Sequence, residues 1–507
     1  MRRPLRVLLV NPWIHDFAAY DLWARPLGLL YLGAVLRQAG CTVALVDCLD
    51  RRHPAVRAAV GHTRVHQDGT GKFCRQPIAK PLVLRQVPRL FCRYGMPVEV
   101  FEQQLASVPK PDAILLTSGM TYWYTGVAET LAKLREAFPG VPVALGGIYA
   151  TLCPEHATRV VRPDIVAQGP AENKVVDIVN ELCNADLLAT SYGDLDALPY
   201  PAYDLYPCLD AVAVMSSRGC PYRCSFCASN LVSGGFAQRA PEAVAAEIEH
   251  WVRRGARHIA FYDDALFFAP DQHIKPLLEL LLRRGVRAHF HTPNGVQPRA
   301  VDRELALLLR KAGFATLRLS FETVNPARLR DMSAKVTKDE LTRALEDLAQ
   351  AGYARHDIGV YLLMGLPGQG AKEVIESILF VARLGARVHL ACYSPIPGTA
   401  EWERAVCSGA FPPEADPLLT NESVYPLSGK SLDYAHYARL RQLAVAVNHA
   451  VASGGAIPAR LTTNCLLEEL FNPHFRSFEK FLDHFRAPQS ARWQAVAVGS
   501  GGRIRRR

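Results

Sequence analysis

No apolar run in the 507-residue chain approaches the length of a membrane span, which argues against a membrane partner. The opening stretch, residues 1–13, has a basic start but only a short apolar run and no small-residue cleavage site. It reads as a first β-strand and not as a secretory signal. No internal repeat, coiled coil or low-complexity tract is present. The cysteines form no framework: thirteen of them, an odd and scattered set in a large chain, fit a reducing cytoplasm better than a disulfide scaffold. Composition is that of an ordinary globular protein, 49% apolar and 21% charged, and the length is enough for two or three domains. The net charge of +10 comes partly from Arg503–Arg507, behind a Gly/Ser run. A frayed, solvated terminus accounts for that tail, and nucleic acid is disfavoured as a partner.

Within residues 1–190, short apolar runs alternate with helical patterns. Leu5–Val10, Thr42–Val46, Ala113–Leu116, Val141–Leu145 and Ile165–Val166 read as strands, and Pro26–Gln38 and Thr125–Phe138 as helices. That alternation predicts an α/β domain with an open, doubly wound (Rossmann-like) parallel sheet and ligands outside the carboxyl ends of its strands. No G-x-G-x-x-G opens a helix after the first strand, so a dinucleotide is a poor expectation. Residues 51–110 interrupt the pattern with histidines, prolines and Cys74. They read as an insertion over the strand ends, helical near Glu99–Leu105, with no metal-site spacing.

A Pro- and Tyr-rich stretch, Leu198–Pro207, leads to six further strand–helix repeats over 195–405, which predict a partial (β/α)6 barrel. After the first of these strands comes Arg218–Cys227, with Cys220, Cys224 and Cys227 in a C-x3-C-x2-C spacing. Three thiolates on one loop suit zinc or an iron–sulfur cluster. Structural zinc almost always takes four protein ligands, and no further Cys or His lies within ten residues on either side.

With Phe226 in the aromatic slot, the stretch resembles the C-x3-C-x-aromatic-C signature of the radical S-adenosylmethionine (SAM) enzymes. The tracts "VLLVNPW", "ILLTSG", "VALGGIYATLCPEH" and "VAQGPAE" are similar to the cobalamin-binding domain that precedes the radical SAM core in one large subgroup. The resemblance covers roughly residues 5–405. It implies a [4Fe–4S] cluster on Cys220, Cys224 and Cys227 with one iron open to SAM. It implies SAM contacts from Phe226, Asp263, Asp264, Glu322, Lys335, Gly365 and Pro367. It implies cobalamin contacts from Asn11, Ser118, Gly119, Gly146 and Gly147, although the D-x-H-x-x-G loop that supplies cobalt's lower ligand elsewhere is absent.

The implied activity is reductive cleavage of SAM to a 5′-deoxyadenosyl radical, with methylation of an unactivated carbon of a small molecule. Rearrangement or cyclisation is the alternative, with or without cobalamin. The implied electron donor is a flavodoxin or ferredoxin. A methylthiotransferase would need three more cluster cysteines in the first domain, and Cys41, Cys48, Cys74, Cys92 and Cys153 do not resemble that pattern. A non-catalytic cobalamin or metal sensor would show a broken cluster motif or missing SAM tracts, and neither is seen. Residues 406–507 are expected to form a helical cap with a basic tail, with helices at Asp433–Ser453, Leu461–Phe471 and Phe478–Phe485.

Overall fold

The computed structural model describes residues 3–61, 65–66, 68–332, 336–429 and 432–478. Near the N-terminus lie β1 (Arg6–Asn11), α1 (Leu27–Gln38), β2 (Thr42–Asp47), β3 (Ala113–Leu116), α2 (Tyr124–Ala137), β4 (Val143–Leu145), β5 (Ile165–Val166) and α3 (Val175–Cys183). The five strands form one parallel sheet in the order β5-β4-β3-β1-β2. This is the doubly wound order whose switch point lies between β1 and β3. Its runs of Val, Leu and Ile are buried on both faces: Leu8 and Val10 pack under α2, Val7 and Leu9 under α1 and α3.

The second sheet system holds β6 (Ala211–Val214), α4 (Pro241–Arg253), β7 (His258–Phe261), α5 (Ile274–Arg283), β8 (His289–His291), α6 (Arg303–Ala312), β9 (Phe314–Thr316), β10 (Arg318–Glu322), α7 (Lys338–Gln350), β11 (Gly359–Met364), α8 (Ala371–Arg383) and β12 (Arg387–Cys392). All its pairings are parallel, in the orders β6-β7-β8-β9 and β10-β11-β12. The sequence reads the fourth strand as one piece. It divides at Leu317 because its first half pairs with β8 and its second with β11, and only a single bridge, Val296 to Leu319, spans the break. Phe261, Phe290 and Phe314 stack in series with centroids 5.3–6.0 Å apart, within the core that the helices cover.

A partial barrel of six strands has two free edges, and buried backbone groups there need partners. Tyr203, from the stretch that links the two sheets, supplies them on β6. Its hydroxyl accepts from the Ala213 N–H at 2.9 Å and donates to the Ala213 carbonyl at 2.7 Å. On β12 the Asn448 amide accepts from the Val388 N–H at 2.7 Å and donates to its carbonyl at 2.8 Å. Asn448 belongs to the C-terminal part, which holds α9 (Ala400–Cys407), α10 (Tyr434–Ala452) and α11 (Thr463–Phe471). Helix α10 lies along β12 and α8, and the expected helix Phe478–Phe485 falls almost wholly outside the described residues, as does the basic tail.

The insertion contributes helices Pro54–Val60 and Val98–Ser107 and two strands, Arg75–Pro77 and Cys92–Tyr94, which join Ile14–Asp16 in a small antiparallel sheet. It does not only lie over strand ends. Trp23 stacks on His291 at 3.8 Å and 14°, its indole N–H donates to Asp68, and a Cβ on Gly69 would come within 2.9 Å of His258. The first domain thereby fills part of the barrel's inner face. No described helix is long and apolar enough to cross a membrane.

Candidate functional site

The loop that carries the three cysteines is fastened at four places. At its root, Ser216 and Ser217 leave β6 beside the end of β7, where Asp263 stands. Asp263 Oδ1 accepts from the Ser216 N–H at 3.0 Å, from both serine hydroxyls at 2.7 Å and from the Ser217 N–H. Burial pushes the Asp263 carboxyl up, and these donors oppose that shift. Next, Gly219 adopts φ +72°, and a Cβ there would lie 2.0 Å from the Gly235 carbonyl oxygen, so only glycine fits the turn. In the middle, the Ser225 N–H donates to Met332 at 2.8 Å and its hydroxyl to Glu401 Oε1 at 2.8 Å. At the exit, Ser229 donates through its hydroxyl to Asp264 and through its N–H to Cys227 Sγ at 3.4 Å.

The cysteines are graded in exposure: Cys220 is buried, Cys224 half-buried and Cys227 exposed. The Ser229 N–H is aimed at the sulfur of the most exposed of the three. Of the adjacent carboxylates, Asp263 is consumed by the loop root, whereas Asp264 is exposed at the rim of a cleft of about 270 Å³.

That cleft runs between the two sheet systems. One wall is Gly147, Thr151, Gly169 and Glu172, beyond the ends of β4 and β5. The other is Ser217, Arg218, Gly219 and Asp264. Arg218 and Glu172 form an ion pair across it. Ser118 ties the ends of β3 and β4 together, donating to the Gly146 carbonyl at 2.6 Å and accepting from the Ala150 N–H at 3.3 Å. Gly147, at φ +94°, packs so tightly on Ser118 that a Cβ would lie 2.3 Å from its carbonyl oxygen. A Cβ on Gly119 would meet the Trp123 ring at 2.8 Å. Asn11 is not part of this group: it donates to Asp47 at 2.7 Å, because β1 and β2 end in register there.

Behind Gly146 and Gly147 a narrow slot of about 140 Å³ enters between α1 and α3, lined by Leu29, Leu32, Leu115, Ala144, Val175 and Ile178. Gly28 and Gly169 line it too, and a Cβ on either would meet nothing within 4 Å. The slot is an apolar cradle left open by glycine.

On the barrel side, Phe226 packs with Leu363, Leu366, Met332 and Tyr393 in a small apolar cluster beside the cysteine loop. The Tyr393 hydroxyl is buried there beside Thr399. Glu322 ends β10 at φ +74°, beyond a register shift, which is strained backbone for a residue with a Cβ. Gly365, at the end of β11, faces Tyr437 and Cys392, while Pro367 lines a separate cleft with Arg404 and Tyr437. Lys335 lies outside the described residues. Sequence reasoning passed over Ser216, Ser217, Ser225, Glu401, Gly28 and Gly169. The two strand-end serines were visible as polar residues at a strand end, and Ser225 and Gly169 lay inside quoted tracts without a role of their own.

Segment 411–425 fastens the first domain to the barrel: Tyr124 donates to Asp416 at 3.0 Å and Asn421 to the buried Asp16 at 2.9 Å, while Ser394, just after β12, donates to the Thr420 carbonyl at 2.5 Å. Elsewhere, Asp271, Asp302 and Glu304 converge closely enough for a cation, but Lys275 occupies their centre at 2.7–2.8 Å.

Residues 214–381 match the family profile of the Radical SAM superfamily. The chain is 26% identical over 330 residues to an uncharacterized methyltransferase of Pyrococcus horikoshii, a match that covers 59% of this chain and 70% of that one. Its structure is similar to that of the radical SAM methyltransferase TsrM from Kitasatospora setae, solved with cobalamin and a [4Fe–4S] cluster bound. There the TM-score is 0.60 at 17% identity, over 98% of this chain and 100% of that chain. It is also similar to OxsB, a cobalamin-dependent SAM radical enzyme, with a TM-score of 0.51 at 15% identity, over 91% and 63% of the respective chains. At these identities the two structures establish a shared fold.

Proposed function

The chain has a radical SAM domain at its centre, and we propose that it is a cobalamin-dependent radical SAM enzyme that methylates an unactivated carbon of a small molecule. The observation that carries the proposal is the cleft in which the cysteine loop and the strand ends of the doubly wound sheet face each other. We take residues 1–190, 195–405 and 406–507 as the cobalamin-binding domain, the catalytic barrel and the C-terminal cap.

The residues present fit the three groups this reading requires. Cys220, Cys224 and Cys227 would hold a [4Fe–4S] cluster, with the Ser229 N–H supporting the last thiolate. The apolar cluster around Phe226, with the buried Tyr393 hydroxyl at its edge, suits a flat nitrogen-rich ring such as adenine. The open slot behind Gly146 suits the aromatic base on cobalamin's side arm. Together the bound groups supply a carbon radical able to take hydrogen from an unactivated C–H bond, and a methyl group to replace it.

The chain's own part is placement and protection. Asp264, exposed at the cleft rim, would accept hydrogen bonds from an ammonium, and Glu322 places a second carboxylate at the end of a barrel strand. Asp263 and Glu401 hold the loop rigid, which fixes what the cysteines carry relative to the cleft. The bonds that Asp416 accepts and Asn421 donates hold the first domain to the segment that follows the barrel, which limits relative motion of the two. Cys227, on the exposed side, leaves an approach for a flavodoxin- or ferredoxin-type donor in the cytoplasm.

The test is one anaerobic preparation of the full chain, reconstituted with iron, sulfide and cobalamin and mixed with SAM and a low-potential reductant. Bound iron, bound cobalamin and 5′-deoxyadenosine together are expected, with 5′-deoxyadenosine lost in Cys220→Ala, Cys224→Ala and Cys227→Ala. Zinc in place of iron and sulfide would overturn the cluster, and a chain that holds the cluster but no cobalamin would overturn the first-domain assignment.

A further inference from the structure

The cysteine loop rests on a buried carboxylate whose charge the arrangement does not need for shape. Glu401 stands at the start of α9, behind the Thr399 cap, and its side chain is 1% exposed. Its N–H donates to the Ser225 carbonyl at 3.0 Å while its Oε1 accepts from the Ser225 hydroxyl at 2.8 Å. Ser225 is the residue between Cys224 and Phe226, so this two-way clamp grips the loop between its second and third cysteines. A glutamine would make the same two bonds. Instead the position carries a carboxylate whose second oxygen, Oε2, is buried without a hydrogen-bond partner among the described residues. Such an atom costs stability.

Compensation is incomplete. Arg404 reaches Glu401 Oε1 at 2.9 Å but is shared with Asp331, at 2.6 and 3.1 Å, so the three side chains together keep one negative charge. Glu401 is the dry member of the three; the other two are exposed. A fixed negative charge in a low-dielectric place raises the cost of adding an electron to a neighbouring group.

We propose that Glu401 is a positioning and tuning residue: it holds the second half of the cysteine loop in place and makes the iron–sulfur cluster there a stronger reductant. The inference rests on the cluster reading given above. A strongly reducing cluster is what one-electron cleavage of a sulfonium needs, so the stability lost on burying Glu401 is offset by driving force in the reaction.

The experiment is an anaerobic redox titration of the reconstituted full chain, read by the spectrum of the reduced cluster, with iron and sulfide counted on each sample. Glu401→Gln keeps the hydrogen bonds and is expected to keep its iron while its midpoint moves to a more positive value. Arg404→Met removes the half-exposed counter-charge and is expected to move the midpoint the opposite way. Ser225→Ala leaves the charge and loosens the clamp, so iron is lost faster to a chelator. Unmoved midpoints in both charge variants, with the cluster present, overturn the proposal for Glu401 alone. A parent chain with no iron and sulfide overturns the cluster reading and this proposal with it.

Discussion

The adjacent pair Asp263–Asp264 gives the sharpest test of how the site is built, because one residue of separation divides anchoring from ligand contact. Replacing Asp263 with alanine leaves four donors at the root of the cysteine loop without their acceptor. The two serine hydroxyls can turn elsewhere, but the Ser216 and Ser217 N–H groups are fixed and buried. Two unsatisfied buried amides at about 1–3 kcal/mol each give a loss of about 4 kcal/mol. Domains of this size lose about 2–4 °C per kcal/mol, so the melting temperature should fall by roughly 8–16 °C. Asp264→Ala removes one hydrogen bond from an exposed side chain. It should change stability by no more than about 0.5 kcal/mol and the melting temperature by no more than about 2 °C, while weakening SAM binding. Differential scanning fluorimetry, iron counts and SAM titration on the two variants together make the assay. An Asp263→Ala protein that melts with the parent and keeps its iron would refute the anchoring argument. So would an Asp264→Ala protein that loses its iron.

Gly219→Ala must place a Cβ at φ +72° against the Gly235 carbonyl, so the pairing of Ser217–Arg218 with Ala237–Gln238 opens. The left-handed backbone alone costs about 1–2 kcal/mol, and iron analysis should find most of the bound iron gone. The His258–His291 pair makes the fold acid-sensitive: burial lowers the first to about 4 and the second to about 3, and they share a 3.0 Å hydrogen bond as neutral rings. Both lie below the unfolded value near 6.5, so the unfolded chain takes up protons first. Stability is therefore full above pH 6.5 and declines as pH falls toward 4. Melting curves between pH 8 and 5 should show this, with a shallower slope in His291→Phe, which keeps the stack on Trp23; a flat parent profile below pH 6.5 would contradict it.

Much of the fold was legible because buried parallel strands are short, continuous apolar runs, as in Leu8–Val10 or Ile259–Phe261. The division of the fourth strand at Leu317 was not, since a change of pairing partner leaves the local composition unchanged. The cysteine spacing announced the loop directly. What the sequence could not convey was direction at strand ends. Asp263 and Asp264 are chemically identical neighbours, and only the course of β6 decides which one meets Ser216 and Ser217. Asn11 looked like a cleft residue because it ends a strand, yet the register that puts Asp47 beside it is a relation between distant positions. Glu401 reads as an ordinary charged residue in the first turn of a helix, and its burial depends on α9 docking against the loop.

The two side chains that satisfy the barrel's edges come from outside its strands, and this fixes how the protein can be divided. A fragment cut to residues 211–392 would lose Tyr203 and Asn448 together. It would expose the Ala213 and Val388 backbone as two sticky borders ready to join copies into open-ended chains. Any transplant of this barrel onto another partner domain must therefore carry both residues or build replacements. The flanking segments are the seals that keep the barrel a separate molecule.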